Sequence, residues 1–301
     1  MGIRRIACVG AGLIGHSWAT LFAVKGLSVN LQDLKEETLT EAMTKINSNL
    51  KFLAEKDVIK KEEAEAALKR IKTTKSLSKA VRDVDYVQES VFESYEVKKK
   101  IFSQMDAEAP LETILASSSS ALLMSEIQDA TTKPGKCLIA HPFNPPHLIP
   151  LVELVPGKKT SPETIKTTYE FMLKIGKVPV VLKKEVLGYI ANRLSRRLYE
   201  EAVDLVDDGV ATVEDVDKAL SAGPGIRWAI MGPHLTYHLG GGPGGIEHFF
   251  EVFGKYYNFR PSAVKKVIEG VKETEIVRTK STEELVRWRD EKLVELLKIL
   301  Y

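Results

Sequence analysis

Cysteine is scarce: Cys8 and Cys137 are the two in 301 residues, each lies inside an apolar run, and their spacing fits neither a disulfide framework nor a zinc knuckle. They read as core thiols in a reducing compartment. An excess of one charge is also missing, since 43 Lys and Arg against 41 Asp and Glu leave a formal +2, too little for the basic footprint of a nucleic-acid binder. No apolar run approaches the roughly 18 residues of a membrane span. The basic start Met1-Gly2-Ile3-Arg4-Arg5 has the charge of a secretory signal, but glycines and then His16 interrupt its apolar stretch and no small-residue cleavage site follows. These absences point to a cytoplasmic protein without nucleic-acid or membrane partners. What remains is ordinary globular composition, 44% apolar and 28% charged, in a chain long enough for two cores.

Residues 1–185 alternate short β-branched runs with amphipathic stretches, the pattern of βαβ units on a parallel sheet. Strands are expected at Ile3–Val9, Ser28–Leu31, Tyr86–Gln88, Thr113–Ala116, Cys137–Ala140, Leu151–Val155 and Val178–Leu182. A helix is expected at Ile14–Lys25, closed by Gly26, and another opens at Ser161-Pro162-Glu163, an N-cap before a first-turn proline. The charged segment Glu36–Arg70 reads as a helical hairpin projecting from the sheet. From Val186 the β signal ends and helical periodicity takes over, at Ile190–Val206, Thr212–Ala222, Pro261–Val271 and Ser281–Leu300, the last opening with the capping box Ser281-x-x-Glu284. Gly240–Gly245 reads as a glycine-rich loop. The expected architecture is an α/β Rossmann-type domain over residues 1–185, its doubly wound sheet mostly parallel, followed by an all-α domain over 186–301.

Gly10-Ala11-Gly12-Leu13-Ile14-Gly15 follows the first strand and opens the first helix, the context that gives G-x-G-x-x-G its meaning. Gly10 permits the tight turn, Gly12 lets a pyrophosphate approach the backbone, and Gly15 allows helix and strand to pack closely. Asp33, at the end of the second strand, is placed to accept hydrogen bonds from ribose hydroxyls, which favours NAD over NADP. Lys35 leaves the 2′-phosphate open.

Three further groups stand at strand ends, where open α/β sheets bind ligands. Glu93 and Lys98 follow the strand at Val87 and read either as cofactor contacts or as a solvated helix start. Ser117 to Ser120 follow the next strand and could donate to a substrate oxygen, or cap a helix from Leu122. His141 ends the strand Cys137–Ala140, and Glu153 lies 12 residues later in the next apolar run. A glutamate in an apolar strand needs a partner, and a carboxylate-oriented histidine is suited to taking a proton from a hydroxyl as hydride leaves its carbon.

Taken with Gly188-Tyr189-Ile190-Ala191-Asn192-Arg193, the segment Gly223–Pro233 and Trp288-Arg289-Asp290-Glu291, these motifs resemble the 3-hydroxyacyl-CoA dehydrogenase superfamily, in particular its λ-crystallin, L-gulonate 3-dehydrogenase and L-carnitine dehydrogenase branch, over nearly the whole chain. The resemblance implies that His141 is the general base and that Glu153 orients it. It implies that Ser120 and Asn192 hold the reacting oxygen, supported by Asn144. The cofactor-side residues would be Gly10, Gly12, Leu13, Ile14, Gly15, Asp33, Glu93, Lys98, Ser118 and Asn144. Because the serine run is Ser117-Ser118-Ser119-Ser120, which serine acts is open. The resemblance also implies a homodimer formed through the helical domain.

Arg227-Trp228 departs from the acyl-CoA enzymes. A guanidinium there could grip a free carboxylate bidentately, so the expected substrate is a small L-3-hydroxy acid, with Arg227 and Trp228 as substrate residues. Trp228, Tyr237 and Phe143 could box a quaternary ammonium, or pack as ordinary core. A 3-hydroxyacyl-CoA substrate is the alternative, its phosphates met by the lysine-rich stretch Lys45–Lys72. A crystallin-like protein without turnover is the alternative of another class. His234, His238 and His248 lack the supporting ligands of a metal site, and none is expected.

Overall fold

The structure, a computed structural model, describes residues 2–300. It divides into two compact units, Met1–Arg197 and Leu198–Tyr301.

Eight strands form one sheet in the first unit: β1 (Arg5–Val9), β2 (Ser28–Gln32), β3 (Ile71–Thr74), β4 (Tyr86–Glu89), β5 (Ile114–Ser117), β6 (Cys137–Pro142), β7 (Leu151–Pro156) and β8 (Val178–Val181). Their order is β3-β2-β1-β4-β5-β6-β7-β8. Every neighbouring pair is parallel except β6 and β7. Successive residues point to opposite faces, and the core splits accordingly. Ile6, Cys8, Leu138 and Ala140 belong to one apolar cluster, while Ala7, Val9, Cys137 and Ile139 belong to the other. Burial on both faces is why the strands read as continuous apolar runs.

The first cluster is covered by α1 (Leu13–Val24), α2 (Glu36–Glu55), α3 (Lys61–Lys69) and α7 (Pro162–Lys174). The second is covered by α4 (Leu77–Val81), α5 (Tyr95–Glu108) and α6 (Met124–Gln128). Trp18 and Phe22 of α1 stack at 5.1 Å, and Phe22 stacks on Phe171 of α7 at 6.0 Å. Ser161 caps α7 as expected, its hydroxyl accepting from the Thr164 amide.

The charged hairpin is formed by α2 and α3, and one face of it is anchored on α1: Leu39, Ala42, Ile46 and Leu50 of α2 share a cluster with Trp18 and Phe22, because those residues recur on one helical face and the charges occupy the other. The strand β3 was not foreseen. It is an edge strand with Ile71 buried and Lys72 and Thr73 exposed, so it carries no apolar run, and its lysine is typical of a protected sheet edge.

The helix α8 (Ala191–Asp207) crosses the division between units. The second unit then comprises α9 (Val213–Ala222), α10 (Pro224–Trp228), α11 (Pro233–Gly240), α12 (Gly245–Phe253), α13 (Pro261–Lys272), α14 (Glu275–Thr279) and α15 (Thr282–Leu300). The Ser281–Glu284 capping box is present in both directions, at 2.7 and 3.2 Å. The glycine-rich loop is a short 3₁₀ turn, Gly242–Gly244, between α11 and α12. No helix among the described residues is long and apolar enough to cross a membrane.

Candidate active site

The turn after β1 is shaped for a pyrophosphate. Gly10 has φ +93°, and a Cβ there would meet the Ser90 carbonyl oxygen at 2.7 Å; at Gly15 it would meet the Gly10 carbonyl oxygen at 1.8 Å. Those two glycines are needed for packing. A Cβ at Gly12 would meet nothing within 4 Å, so the space beside this residue is free for a ligand. Gly12 is the N-cap of α1 without a side-chain cap, and the amides of Leu13 and Ile14 have no acceptor among the described residues. Such a helix start binds phosphate through its free N–H groups and dipole. Asp33 Oδ2 accepts from the Ala11 amide at 2.9 Å and Oδ1 lies 3.4 Å from the Lys35 amide, which holds the carboxylate at the turn with lone pairs remaining for hydroxyl donors.

The ends of β4 and β5 carry a buried charge network centred on a residue the sequence reasoning missed. Glu89 is fully buried and pairs with Lys98, 1% exposed, at 2.7 Å. The Val91 amide also donates to Glu89, and the Ser117 hydroxyl donates to its other oxygen at 2.6 Å. Lys98, expected to touch cofactor, is therefore sealed inside the protein; a glutamate buried in a strand claims its charge. All four residues of β4 are buried, and a glutamate in such a strand needs a partner, the same signal that marks Glu153.

Glu93 clamps the serine loop. Its Oε1 accepts from the Ser119 hydroxyl at 2.6 Å and from the amides of Ser120 and Ala121 at 2.9 and 3.1 Å, and Oε2 lies 3.3 Å from Lys98. Burial opposes the charge, but the Ser119 hydroxyl, Lys98 and the two amides outweigh it and hold the carboxyl below the usual range. Ser118, expected at the cofactor, is 9% exposed and bonded to Gln88 and Ser90 at 2.7 and 2.8 Å, so its hydroxyl is spent on joining strands. Ser117 and Ser119 are likewise engaged. Ser120 is exposed, and among the described residues its hydroxyl has no protein partner. The Asn192 side-chain amide lies 3.5 Å from the Ser120 carbonyl oxygen, which brings the two residues expected to hold the reacting oxygen together.

His141 and Glu153 face each other across the antiparallel pair β6–β7. The imidazole Nδ1 lies 2.9 Å from Glu153 Oε2, and the residues are 4% and 1% exposed. Oε1 accepts from the amides of Ile190 and Ala191 at 2.8 and 3.0 Å. Burial alone would raise the Glu153 carboxyl pKa, but the bond from His141 and those two amides lower it below the ordinary carboxylate value. An ionised carboxylate only accepts, so Nδ1 carries a proton, and in the neutral ring the lone pair is then on Nε2. That tautomer is the one a general base requires.

Tyr189 is a second residue unforeseen in its role. It has φ +50°, unusual for a bulky side chain, is 1% exposed, meets the His141 ring edge-on at 5.2 Å and donates to the Leu122 carbonyl at 2.8 Å. It thus joins the histidine to the serine loop. Phe143 makes a second T-shaped contact with His141, at 5.5 Å. Asn144 is exposed and has no hydrogen bond within the protein among the described residues.

In the second unit, Arg227 on α10 is exposed and has no carboxylate partner among the described residues, and Trp228 is 40% exposed. Tyr237, 39% exposed, packs on the buried Phe249 at 4.7 Å and edges Tyr257 at 6.5 Å. His238 accepts from the Ile246 amide at 3.2 Å. No group of three or more His, Cys, Asp or Glu among the described residues is arranged to hold a metal ion.

Comparison with known proteins follows this geometry. Residues 5–186 match the family model of the 3-hydroxyacyl-CoA dehydrogenase NAD binding domain, and residues 188–286 match that of the 3-hydroxyacyl-CoA dehydrogenase C-terminal domain. The L-carnitine dehydrogenase of Bacillus cereus is 38% identical, covering 99% of this chain and 93% of its own. The lambda-crystallin of Oryctolagus cuniculus is 36% identical, with 98% and 95% covered. Among solved structures, the 3-hydroxyacyl-CoA dehydrogenase of Archaeoglobus fulgidus superposes with a TM-score of 0.73 at 27% identity, covering 99% of both chains. A matched NAD binding domain, a turn with room for a pyrophosphate at Gly12 and a carboxylate at Asp33 agree on the cofactor. The chain belongs to the 3-hydroxyacyl-CoA dehydrogenase family and is an NAD-dependent oxidoreductase of its L-carnitine dehydrogenase and lambda-crystallin branch.

Proposed function

We propose that the chain oxidises the 3-hydroxyl of a small L-3-hydroxy acid, of the L-carnitine or L-gulonate kind, to the 3-keto acid. The observation that carries this reading is the buried His141–Glu153 pair, with Nδ1 committed to the carboxylate and Nε2 left to accept a proton. His141 takes the hydroxyl proton, and Glu153 stabilises the imidazolium that forms. The Ser120 hydroxyl and the Asn192 amide hold the oxygen while it passes from hydroxyl to carbonyl. NAD, when bound, supplies the acceptor for the hydride. Gly10 and Gly15 shape the turn that would hold it, Leu13 and Ile14 offer amides to the pyrophosphate, and Asp33 serves the ribose. Lys98, sealed on Glu89, acts through the serine loop, Glu93 clamps that loop and serves the cofactor with its exposed side, and Asn144 supports the oxygen-holding pair.

Arg227 is assigned the substrate carboxylate, with Trp228 beside it on α10. An exposed guanidinium without a protein carboxylate is free to grip one from a ligand. A CoA thioester is the second reading. It is favoured by Lys51, Lys56, Lys60, Lys61 and Lys69, which are exposed on α2, α3 and their connection and have no carboxylate partner among the described residues. The domain roles follow the expected division at 185/186, with dinucleotide binding before it and substrate binding and dimerisation after it. A cytoplasmic homodimer completes the proposal, because α8 and α9 bury none of their described residues and leave Leu198, Tyr199, Val203 and Val213 exposed.

The test is NAD-coupled absorbance with L-carnitine, L-gulonate, L-3-hydroxybutyrate and its CoA thioester, using wild type, His141→Ala and Arg227→Met. A free acid should be oxidised, His141→Ala should abolish turnover with NADH affinity nearly unchanged, and Arg227→Met should raise KM for the acid at least tenfold. Activity confined to the thioester and indifferent to Arg227 selects the CoA reading. No turnover on any substrate selects the crystallin-like one.

A further inference from the structure

Among the buried titratable groups that the proposed chemistry leaves unused, one is a lysine without a counter-charge. Lys177, the residue before β8, is 5% exposed, and among the described residues it has no carboxylate partner. Its ammonium donates to the Pro146 carbonyl and, at 2.7 Å, to that of Ile149, and it lies 5.1 Å from the centroid of the Trp18 ring. Two carbonyls and one aromatic face match the three N–H donors of a protonated amine. Burying a cation without a counter-charge is unfavourable, and a methionine would fill the same space at lower cost. The contacts that Lys177 gains are on one segment.

That segment, residues 143–150, leaves β6 directly after His141-Pro142 and returns as β7, which carries Glu153. It is held a second time from α1. The His147 amide donates to Ser17 Oγ at 3.1 Å, and the Ser17 hydroxyl is hydrogen-bonded to His147 Nδ1 at 2.7 Å. Ser17 and Trp18 are adjacent on α1, the helix whose N-terminus opens at Gly12. The chain that joins the proton-transfer histidine to its carboxylate is therefore gripped from the dinucleotide helix at two consecutive positions, once directly and once through Lys177.

We propose that Lys177 is a positioning residue for His141: by tying Pro146 and Ile149 to Trp18, and in concert with Ser17, it fixes segment 143–150 against α1. His141 then keeps one placement relative to the helix that receives the dinucleotide. The inference rests on the reading of His141 as the base. The titratable groups around Lys177 are all basic. They are His16 on α1, His147 on the segment and Lys25 after α1, whose Nζ would lie 3.3 Å from a Cβ at Gly176. Burial lowers the pKa of His147, and the charges of His16 and Lys177 lower it further. Burial brings Lys177 down to about 8.

The full chain is compared as wild type, Lys177→Met, Ser17→Ala and Trp18→Phe, with kcat and KM measured on the hydroxy acid that wild type oxidises and tryptophan fluorescence titrated through about pH 8. Lys177→Met should lower kcat about tenfold, as a small misplacement of a reacting group does, with KM for NAD changed less than twofold. Ser17→Ala should lower kcat in the same direction by a smaller factor. Wild type should show a fluorescence step near pH 8 that is lost in Lys177→Met and in Trp18→Phe. Unchanged kcat in Lys177→Met and Ser17→Ala overturns the positioning role, and a step that persists in Lys177→Met overturns the charged clamp. Should Lys177→Met fail to fold, Ser17→Ala decides the first point, and wild type against Trp18→Phe decides the second. Turnover retained by His141→Ala removes the base assignment instead, and leaves the fluorescence step in place.

Discussion

Glu153 divides its carboxylate between two elements: Oε2 accepts from His141 Nδ1 at 2.9 Å, while Oε1 accepts from the Ile190 and Ala191 amides at 2.8 and 3.0 Å. One side chain thereby orients the imidazole on β6 and holds the first turn of α8, the turn that carries Asn192. The proton acceptor and one candidate holder of the substrate oxygen are set by the same buried group.

Glu153→Gln keeps the shape and one acceptor but offers an N–H to His141. The amide then favours the tautomer with its proton on Nε2, which cannot act as a base. A loss in kcat of about 10²–10⁴ is expected, the range for a misoriented catalytic base, with little change in NADH affinity. Steady-state kinetics with NADH binding by fluorescence checks it; a loss confined to KM would contradict the orienting role.

The same carboxylate makes stability depend on acid. Its folded pKa lies below the ordinary carboxylate value, so its contribution is fully present above about pH 4.3 and is lost as pH falls through the folded value. Thermal melts from about pH 6 to 3 should therefore show a steeper decline for wild type than for Glu153→Gln.

Gly12 and Gly15 should separate binding from folding. Gly12→Ala places its Cβ in open space and should leave the melting temperature unchanged while weakening NAD at least tenfold, about 1.4 kcal/mol. Gly15→Ala drives its Cβ into the Gly10 carbonyl and should destabilise the chain before any binding is measured. Equal NAD affinity in wild type and Gly12→Ala would show that the cofactor does not cross that residue.

Lys98→Met strands the buried Glu89 carboxylate and should cost about 3–5 kcal/mol. The double variant Glu89→Gln/Lys98→Met should recover much of this. Urea unfolding in a double-mutant cycle measures the coupling; additive losses would mean that the 2.7 Å contact carries no energy of its own.

Val203→Glu on α8 puts a charge on an exposed apolar position. If the helical unit forms the dimer, sedimentation should show the variant as a monomer at concentrations where wild type is dimeric. Wild type sedimenting as a monomer would end the dimer proposal.

Much of this protein was legible in one dimension because its signals are local. Seven of the eight strands announce themselves as short runs rich in β-branched and other apolar residues between turn signals. The glycine turn, the Ser161 cap and the Ser281–Glu284 box are set by residues a few positions apart, so spacing alone carries them. The edge strand β3 escapes notice because Ile71 is its one apolar residue, whereas β8, at the other edge, reads Val-Pro-Val-Val.

Pairing across the sheet is another matter. That Glu153 needs a partner followed from its apolar surroundings, but that the Ile190 and Ala191 amides share it depends on where α8 begins in space. Four serines in a row are indistinguishable as a string; only their neighbours separate them, with Glu89, Gln88 and Glu93 taking the hydroxyls of Ser117, Ser118 and Ser119 and leaving that of Ser120 without one. Lys98 and Glu93 read alike from their position after β4, yet one is sealed on Glu89 and the other clamps a loop. Lys177 gave no signal at all, because a lysine is ordinarily solvated and its burial exists only once the loop, β8 and α1 have met. Spacing along the chain is enough for the strand and helix periodicities and for the dinucleotide turn; which polar groups stay free to meet a ligand emerges on folding, because hydrogen-bond partners far apart in the chain are matched only then.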